Sequence, residues 1–287
     1  MTESSGLAGQ FPRSSGPSVS IRPPKGWAPL DLRELVAAHE LLYFLVLRNL
    51  KLRYKQTALG AAWAVLQPLL TMAIFTIVFG RLARLGSDGL PYPVFALAAL
   101  VPWTYFATSL TQAGNSLVDQ HQLLTKVYFP RLLLPLAAVI AGLVDLGIAF
   151  VLLLIVLVWY GIEPSARLFA LPGFVLLATA SALAPGIWLA ALNVRYRDVR
   201  YVIPFLVQIW LFVTPVAYST GLIPEPWRAL YQLNPMAGVV NGFRWMIGSG
   251  GHLSASGLSI SVTALAVLLT SGLYFFRRME QSFADVV

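Results

Sequence analysis

Of the 287 residues, 57% are hydrophobic and only 11% charged, with a mean hydropathy of +0.72. Soluble domains carry roughly a quarter charged residues, so this composition excludes a soluble globular protein and indicates an integral membrane protein. The formal charge of +8 comes from twenty bases and twelve acids spread thinly between apolar runs, a distribution that suits lipid headgroups rather than nucleic acid. The chain has no cysteine, which removes disulfides, thiolate metal sites and cysteine nucleophiles. His39, His121 and His252 lie far apart with no partner at i+4, so no histidine metal site is expected.

Residues 1–29 are rich in Ser, Gly and Pro and read as a disordered lead-in without the continuous apolar core of a signal peptide. Pro29-Leu30-Asp31, with Glu34 three residues after the aspartate, predicts a capped helix start. Over 30–55, Leu32, Leu35, Val36, Leu42, Leu45 and Val46 oppose a side bearing Arg33, Glu34, His39, Glu40 and Arg48, which predicts an amphipathic helix lying in the membrane interface. A span over 32–47 is the competing reading, but it is short and contains His39 and Glu40. Arg48, Lys51, Arg53 and Lys55 then sit at the cytosolic headgroup level, each contributing on the order of 1 kcal/mol against anionic lipid. The bland alternative is a topology signal alone.

A span needs about 20 apolar residues. Six stretches qualify: 56–80, 89–118, 132–162 (interrupted by Asp145), 168–194, 201–224 and 245–276. With both termini inside, fifteen Lys and Arg fall on the cytosolic side and five outside, which sets the orientation. Between the fifth and sixth stretches, "LIPEPWRALYQLNPMAGVVNGFRWMIGSGG" (222–251) predicts a short helix from Pro226 to about Leu233, a break at Asn234-Pro235, and a second helix stopped by Gly248. Each reaches only about 15–20 Å, so the pair is expected to be re-entrant or interfacial on the outer side; a plain amphipathic loop is the alternative.

Chemistry-bearing motifs are missing. The sequence has no G-x-x-x-x-G-K-[ST], no G-x-S-x-G, no clustered carboxylates and no internal repeat, so catalysis by this chain is not expected. Asp145 is the one acid inside a span, where a charge costs from roughly 2.5 kcal/mol upward. It shows no membrane-embedded partner in the sequence; a proton-coupling carboxylate is the sharp reading and a structural role in the bundle interior the bland one. Pro68, Pro102, Pro135, Pro185-Gly186, Pro204 and Pro215 predict bent spans. Trp and Tyr are expected mostly as interfacial anchors, but rings lying deeper, such as Trp63 and Trp210, would offer apolar faces to sugars in a wide pore.

Two loops on the inner side stand out. In "QHQLLTKVYFPRLLLP" (120–135), Gln120 to Tyr128 forms a short helix ended by Pro130, with Leu123, Leu124 and Val127 on one side, suited to docking in a groove of a soluble motor. The second, "NVRYRDVRYVIPF", is compact and charged.

With these segments quoted, the chain resembles the membrane subunits of type-2 ABC exporters for polysaccharides, as used for O-antigen, capsule, teichoic acid and arabinogalactan precursors. The matching stretches are "RYKQTALGAAWAVLQPLL" (53–70), "LLTKVYFPRLLLP" (123–135), "NVRYRDVRYVIPFLVQIWLFVTPVAY" (193–218), "LNPMAGVVNGFRWMI" (233–247) and "FFRRMEQSFADVV" (275–287). The resemblance covers nearly everything beyond residue 31. It implies an all-α protein of the bacterial cytoplasmic membrane, with an interface helix (30–55), a six-span domain (56–277) and a cytosolic tail (278–287). It further implies a homodimer bound to two copies of a separate ATPase that holds ATP and Mg, leaving no cofactor in this chain, and a lipid-linked glycan on undecaprenyl diphosphate as cargo.

The resemblance also assigns roles. Gln120, Leu123, Leu124, Lys126, Val127, Tyr128, Phe129 and Arg131 would form the coupling helix, with Arg195, Arg197 and Asp198 also near the ATPase. Arg48, Lys51, Arg53 and Lys55 would meet the lipid diphosphate at its entrance. Trp63, Trp103, Tyr105, Trp210, Tyr218, Trp227, Asn234, Pro235 and Arg244 would belong to the channel and its outer gate helices (222–250). Thr214-Pro215-Val216 stands where the family often has Ser-Pro-Val. The rival readings are the same architecture with a drug or lipid cargo, a proton-coupled transporter built on Asp145, and a membrane-embedded glycosyl or phosphoglycosyl transferase.

Overall fold

The computed structural model describes residues 36–55, 60–126, 129–163, 165–248 and 253–280; the lead-in, the cap at Asp31 and residues 281–287 lie outside them. Every regular element among the described residues is helical, as a chain without water to pair its backbone requires. In chain order these are α1 (His39–Lys55), α2 (Gly60–Phe75), α3 (Tyr92–Asp119), α4 (His121–Lys126), α5 (Leu133–Trp159), α6 (Leu171–Arg195), α7 (Val199–Val213), α8 (Glu225–Gln232), α9 (Pro235–Ile247) and α10 (Ala255–Glu280). A π-helical stretch, Thr76–Leu82, extends α2, and a 3-10 turn, Ala166–Ala170, leads into α6.

Among the described residues, five helical segments are long and apolar enough to cross a membrane: Ala62–Leu82, Tyr92–Asp119, Leu133–Trp159, Ala166–Arg195 and Ala255–Glu280. The first four coincide with expected spans. The last begins at Ala255 instead of 245, because residues 245–247 complete α9, which Gly248 ends in extended backbone. The expected span over 201–224 differs more. Its helix, α7, stops at Val213 after 15 residues, about 22 Å. Thr214 is extended, as the residue before Pro215 prefers, and Pro215 has no N–H with which to continue the ladder.

Helix α3 is the centre of the fold, buried through most of its length and packed on α5, α6 and α9; α10 covers α6. Small residues bring these helices close. A Cβ on Gly186 would meet that of Ala113 at 2.8 Å, and one on Gly142 would meet the Tyr105 ring at 3.1 Å, the close approach that membrane helices use in place of a hydrophobic driving force. Helix α2, in contrast, leaves Leu66, Leu70 and Ile74 exposed.

The loops that the charge count separates meet at opposite ends of α3. At one end Arg48 Nη1 donates to Gln120 Oε1 (3.2 Å), Arg200 pairs with Asp119 (3.6 Å) and Arg131 Nη1 donates to the Glu280 carbonyl (3.0 Å). At the other, Ser219 Oγ donates to Asp88 (2.7 Å) and Tyr92 donates to the Ala217 carbonyl (2.6 Å).

Candidate functional site

Two polar assemblies stand out in this apolar body, one deep below α1 and one where α7 unwinds. The first begins with the course of α1. The apolar periodicity predicts a helix lying in the membrane interface; α1 packs mainly on α5, buries only Leu45 among its residues, and sends two side chains across to α3. Arg48 reaches Gln120 at the end of α3, while Arg53 Nη2 donates to Gln112, eight residues or about 12 Å deeper. Arg53 is half-buried, whereas Arg48, Lys51 and Lys55 are exposed.

Arg53 forms a salt bridge with Asp145, and Tyr54 donates to the other oxygen of the same carboxylate. This corrects the reading of Asp145 as an acid without a partner. Its partners lie more than ninety positions away, and helical periodicity reports only neighbours on one helix. The pair opens onto a cavity of about 720 Å³ between α2, α3 and α5, whose walls include Trp63, Gln67, Thr104, Tyr105, Thr108 and Leu146. Gln112 and Gln67, polar residues inside apolar helices, were the sequence signal for this interior; nothing distinguished Tyr54.

The second assembly holds the broken end of α7. Asn234 caps α9, its Oδ1 accepting from Met236 N (3.1 Å) and from Trp210 Nε1 (3.0 Å), while its Nδ2 donates to Thr214 Oγ1 (2.9 Å). Arg244, only 3% exposed, donates from Nη1 to the carbonyls of Pro215 (2.7 Å) and Tyr218 (3.2 Å) and from Nη2 to that of Val216 (2.8 Å). Its guanidinium also lies 3.5 Å from the centre of the Phe95 ring. Burial pushes its pKa down to about 9, against the pull of Asp88 and Tyr92, so it remains a cation at neutral pH. Tyr218 and Tyr231 both donate to the Phe212 carbonyl (2.8 and 3.1 Å). The carbonyls freed by the break are thus taken up by side chains, the condition for irregular backbone inside a membrane protein. The two short helices differ in placement: α8 has no buried residue and exposes Trp227, whereas α9 is buried nearly throughout.

The remaining expected residues scatter. Helix α4 covers six residues, and Leu123 and Leu124 are half-buried against a cluster containing Leu45, Leu117 and Phe129. The Lys126 side chain, Val127 and Tyr128 lie outside the described residues. Arg195 sits 5.4 Å from the Tyr196 ring, and Arg197 and Asp198 are exposed. Trp103 is buried beside Phe106. Tyr105 is also buried, its hydroxyl donating to Thr179 Oγ1 (3.1 Å). Trp63, in contrast, is half-exposed.

Comparison with known proteins agrees with this architecture. The family model "ABC-2 type transporter" matches residues 40–247. The O-antigen export system permease protein RfbA of Myxococcus xanthus is 32% identical over 259 residues, covering 89% of this chain and 98% of its own. A Klebsiella pneumoniae protein of the same name is 27% identical over 86% and 95% of the two chains, and the Escherichia coli polysialic acid transport protein KpsM is 24% identical over 83% and 93%. On the family match over most of its length, this multi-pass membrane protein belongs to the ABC-2 type transporter family.

Proposed function

We propose that the chain is the permease subunit of an ATP-driven exporter that moves a lipid-linked polysaccharide outward across the bacterial cytoplasmic membrane. The observation that carries this reading is the match to an O-antigen permease over 89% of this chain and 98% of the relative's. In this reading two copies of the chain enclose the path, and two copies of a cytosolic ATPase supply the energy through α4 and the Arg195–Asp198 loop. The chain itself holds no cofactor. Both termini are cytosolic. The sixth crossing is made by α7 together with the unwound segment after Val213, and α8 and α9 form the outer gate. The polysaccharide's undecaprenyl diphosphate carrier enters near α1, drawn by Arg48, Lys51 and Lys55.

The engagement of Asp145 by Arg53 and Tyr54 supports a fastening or ligand-related role over a proton-shuttling one. The test is deletion of the gene in its own host. Loss of surface polysaccharide with accumulation of the lipid-linked glycan inside the cell, both reversed by the intact gene, is the expected result. Unchanged surface polysaccharide would remove the cargo assignment.

A further inference from the structure

Four consecutive carbonyls of the unwound segment are held from two sides. Arg244 of α9 takes those of Pro215, Val216 and Tyr218, and Tyr92, at the start of α3, takes that of Ala217 at 2.6 Å. Next along the chain, the Ser219 hydroxyl donates to Asp88 (2.7 Å) and accepts from Gly221 N (3.1 Å) in the 3-10 turn, Thr220–Leu222, that leads to α8. The two holds differ in kind. Arg244 is buried and multiply bonded, whereas Tyr92 is half-exposed, Asp88 is exposed, and each contributes one bond to the segment.

The connection that carries Asp88 is itself strained. Arg84 (φ +50°) and Asp88 (φ +52°) are both left-handed, a conformation that is costly for a residue with a Cβ and that collects at functional sites. The end of α2 that leads to them is π-helical over Thr76–Leu82, a wider turn that likewise marks functional positions. Gly80 in that stretch lies against the Tyr92 ring, where a Cβ would come within 2.8 Å of Cγ, so the π-helical turn and Tyr92 are interlocked. Among the described side chains of α2 and this extension only Pro68 is buried, so little packing resists their movement.

We propose that the connection between α2 and α3 is a latch: Asp88 and Tyr92 are positioning residues that hold the unwound segment against Arg244, and the latch lets go when cargo leaves on the outer side. The exposed, singly bonded side opens while Arg244 keeps the segment on α9. Relaxation of Thr76–Leu82 from π to α re-registers the residues beyond it by about one position, a rotation of roughly 100°, which carries Gly80 away from Tyr92. Return of Arg84 and Asp88 to right-handed backbone offsets part of the loss of two hydrogen bonds, so the latched and released states lie close enough to exchange. Ser219 passes the release to α8 through Gly221. Helix α2 also lines the cavity with Trp63 and Gln67, so one helix touches both the interior and the latch. That cargo works the latch rests on the export reading; that the latch holds the segment does not.

The chain has no cysteine, so one introduced thiol reports on one position. Val216→Cys, at a buried position of the segment, is placed in the full-length chain in detergent, without ATPase or glycan, and its labelling by a water-soluble maleimide is timed. Adding Asp88→Ala and Tyr92→Phe should speed labelling about tenfold, and Asp88→Asn in place of Asp88→Ala, which keeps an acceptor for Ser219, should recover part of the protection. A change below about twofold overturns the proposal. Should the combined variant fail to fold, Tyr92→Phe alone, which removes one hydroxyl, decides by the same twofold limit. The second arm uses the complex with its ATPase in lipid. Asp88→Cys and Ser219→Cys, bridged by a short bis-methanethiosulfonate, should cut glycan export about tenfold beyond either single variant treated alike, and dithiothreitol should restore it. Export that continues undiminished while the bridge is in place overturns the latch. Absence of export by the wild-type complex counts against the export reading instead, and the labelling arm then decides the latch by itself.

Discussion

Arg244→Met removes a buried cation while keeping most of its volume, and the structure sets the size of the effect. The Pro215 and Val216 carbonyls receive their hydrogen bonds from Arg244 at 2.7 and 2.8 Å, and both residues are buried. Without the guanidinium they have no donor, at about 1–3 kcal/mol for each stranded group. The Tyr218 carbonyl, at 3.2 Å, belongs to a half-exposed residue that water reaches. The stacking on Phe95 is lost as well, worth about 1–2 kcal/mol when desolvated. Against these losses stands relief from burying a charge, so a net destabilisation of about 3 kcal/mol is expected. Arg244→Lys should fall between, since one ammonium keeps the charge but cannot span the Pro215 and Val216 carbonyls as a fork does. The assay is reversible denaturant unfolding in mixed micelles, comparing midpoints of the three proteins. If Arg244→Met unfolds within about 0.5 kcal/mol of the wild type, the range of ordinary surface changes, the argument that Arg244 holds the unwound segment is refuted.

Three further outcomes follow from the same geometry. Asn234→Ala should cost about 2 kcal/mol by removing the α9 cap and the partner of Trp210, while Asn234→Asp, which keeps the accepting oxygen, should lose less; reversed order in unfolding midpoints would contradict the hub. Gly242→Ala places a Cβ inside the surface of the buried Phe174 ring, an overpacking of about 1–3 kcal/mol that Phe174→Leu in the same chain should partly restore. Arg200→Ala breaks a pair whose side chains are 56% and 51% exposed, so its effect on stability should stay below about 0.5 kcal/mol; a larger loss would show that this contact carries more than a surface pair does.

Hydropathy alone located four of the long helices, because a lipid-facing helix must be apolar along its whole length whatever it packs against. The Asn234-Pro235 break and the stop at Gly248 were equally legible, since capping side chains and missing N–H groups act within one turn. The end of α7 was not. Its apolar run continues past Val213, and the carbonyls beyond it are satisfied by Arg244, thirty-one positions from Val213, a partner that no local pattern reveals. The same holds for Asp145, whose partner is on α1. Likewise Leu123 and Leu124 could be assigned to a common helix face, but their partial burial against the cluster around Phe129 depends on tertiary packing.

The central claim is tested most directly by reconstituting the chain, tagged and in lipid, with the ABC ATPase encoded nearest to it. The account predicts a stable complex whose ATP hydrolysis rises with the host's lipid-linked polysaccharide, and whose transport of that glycan stops when ATP is withheld. Transport that continues without ATP and fails in Asp145→Asn, with no ATPase bound, would contradict it.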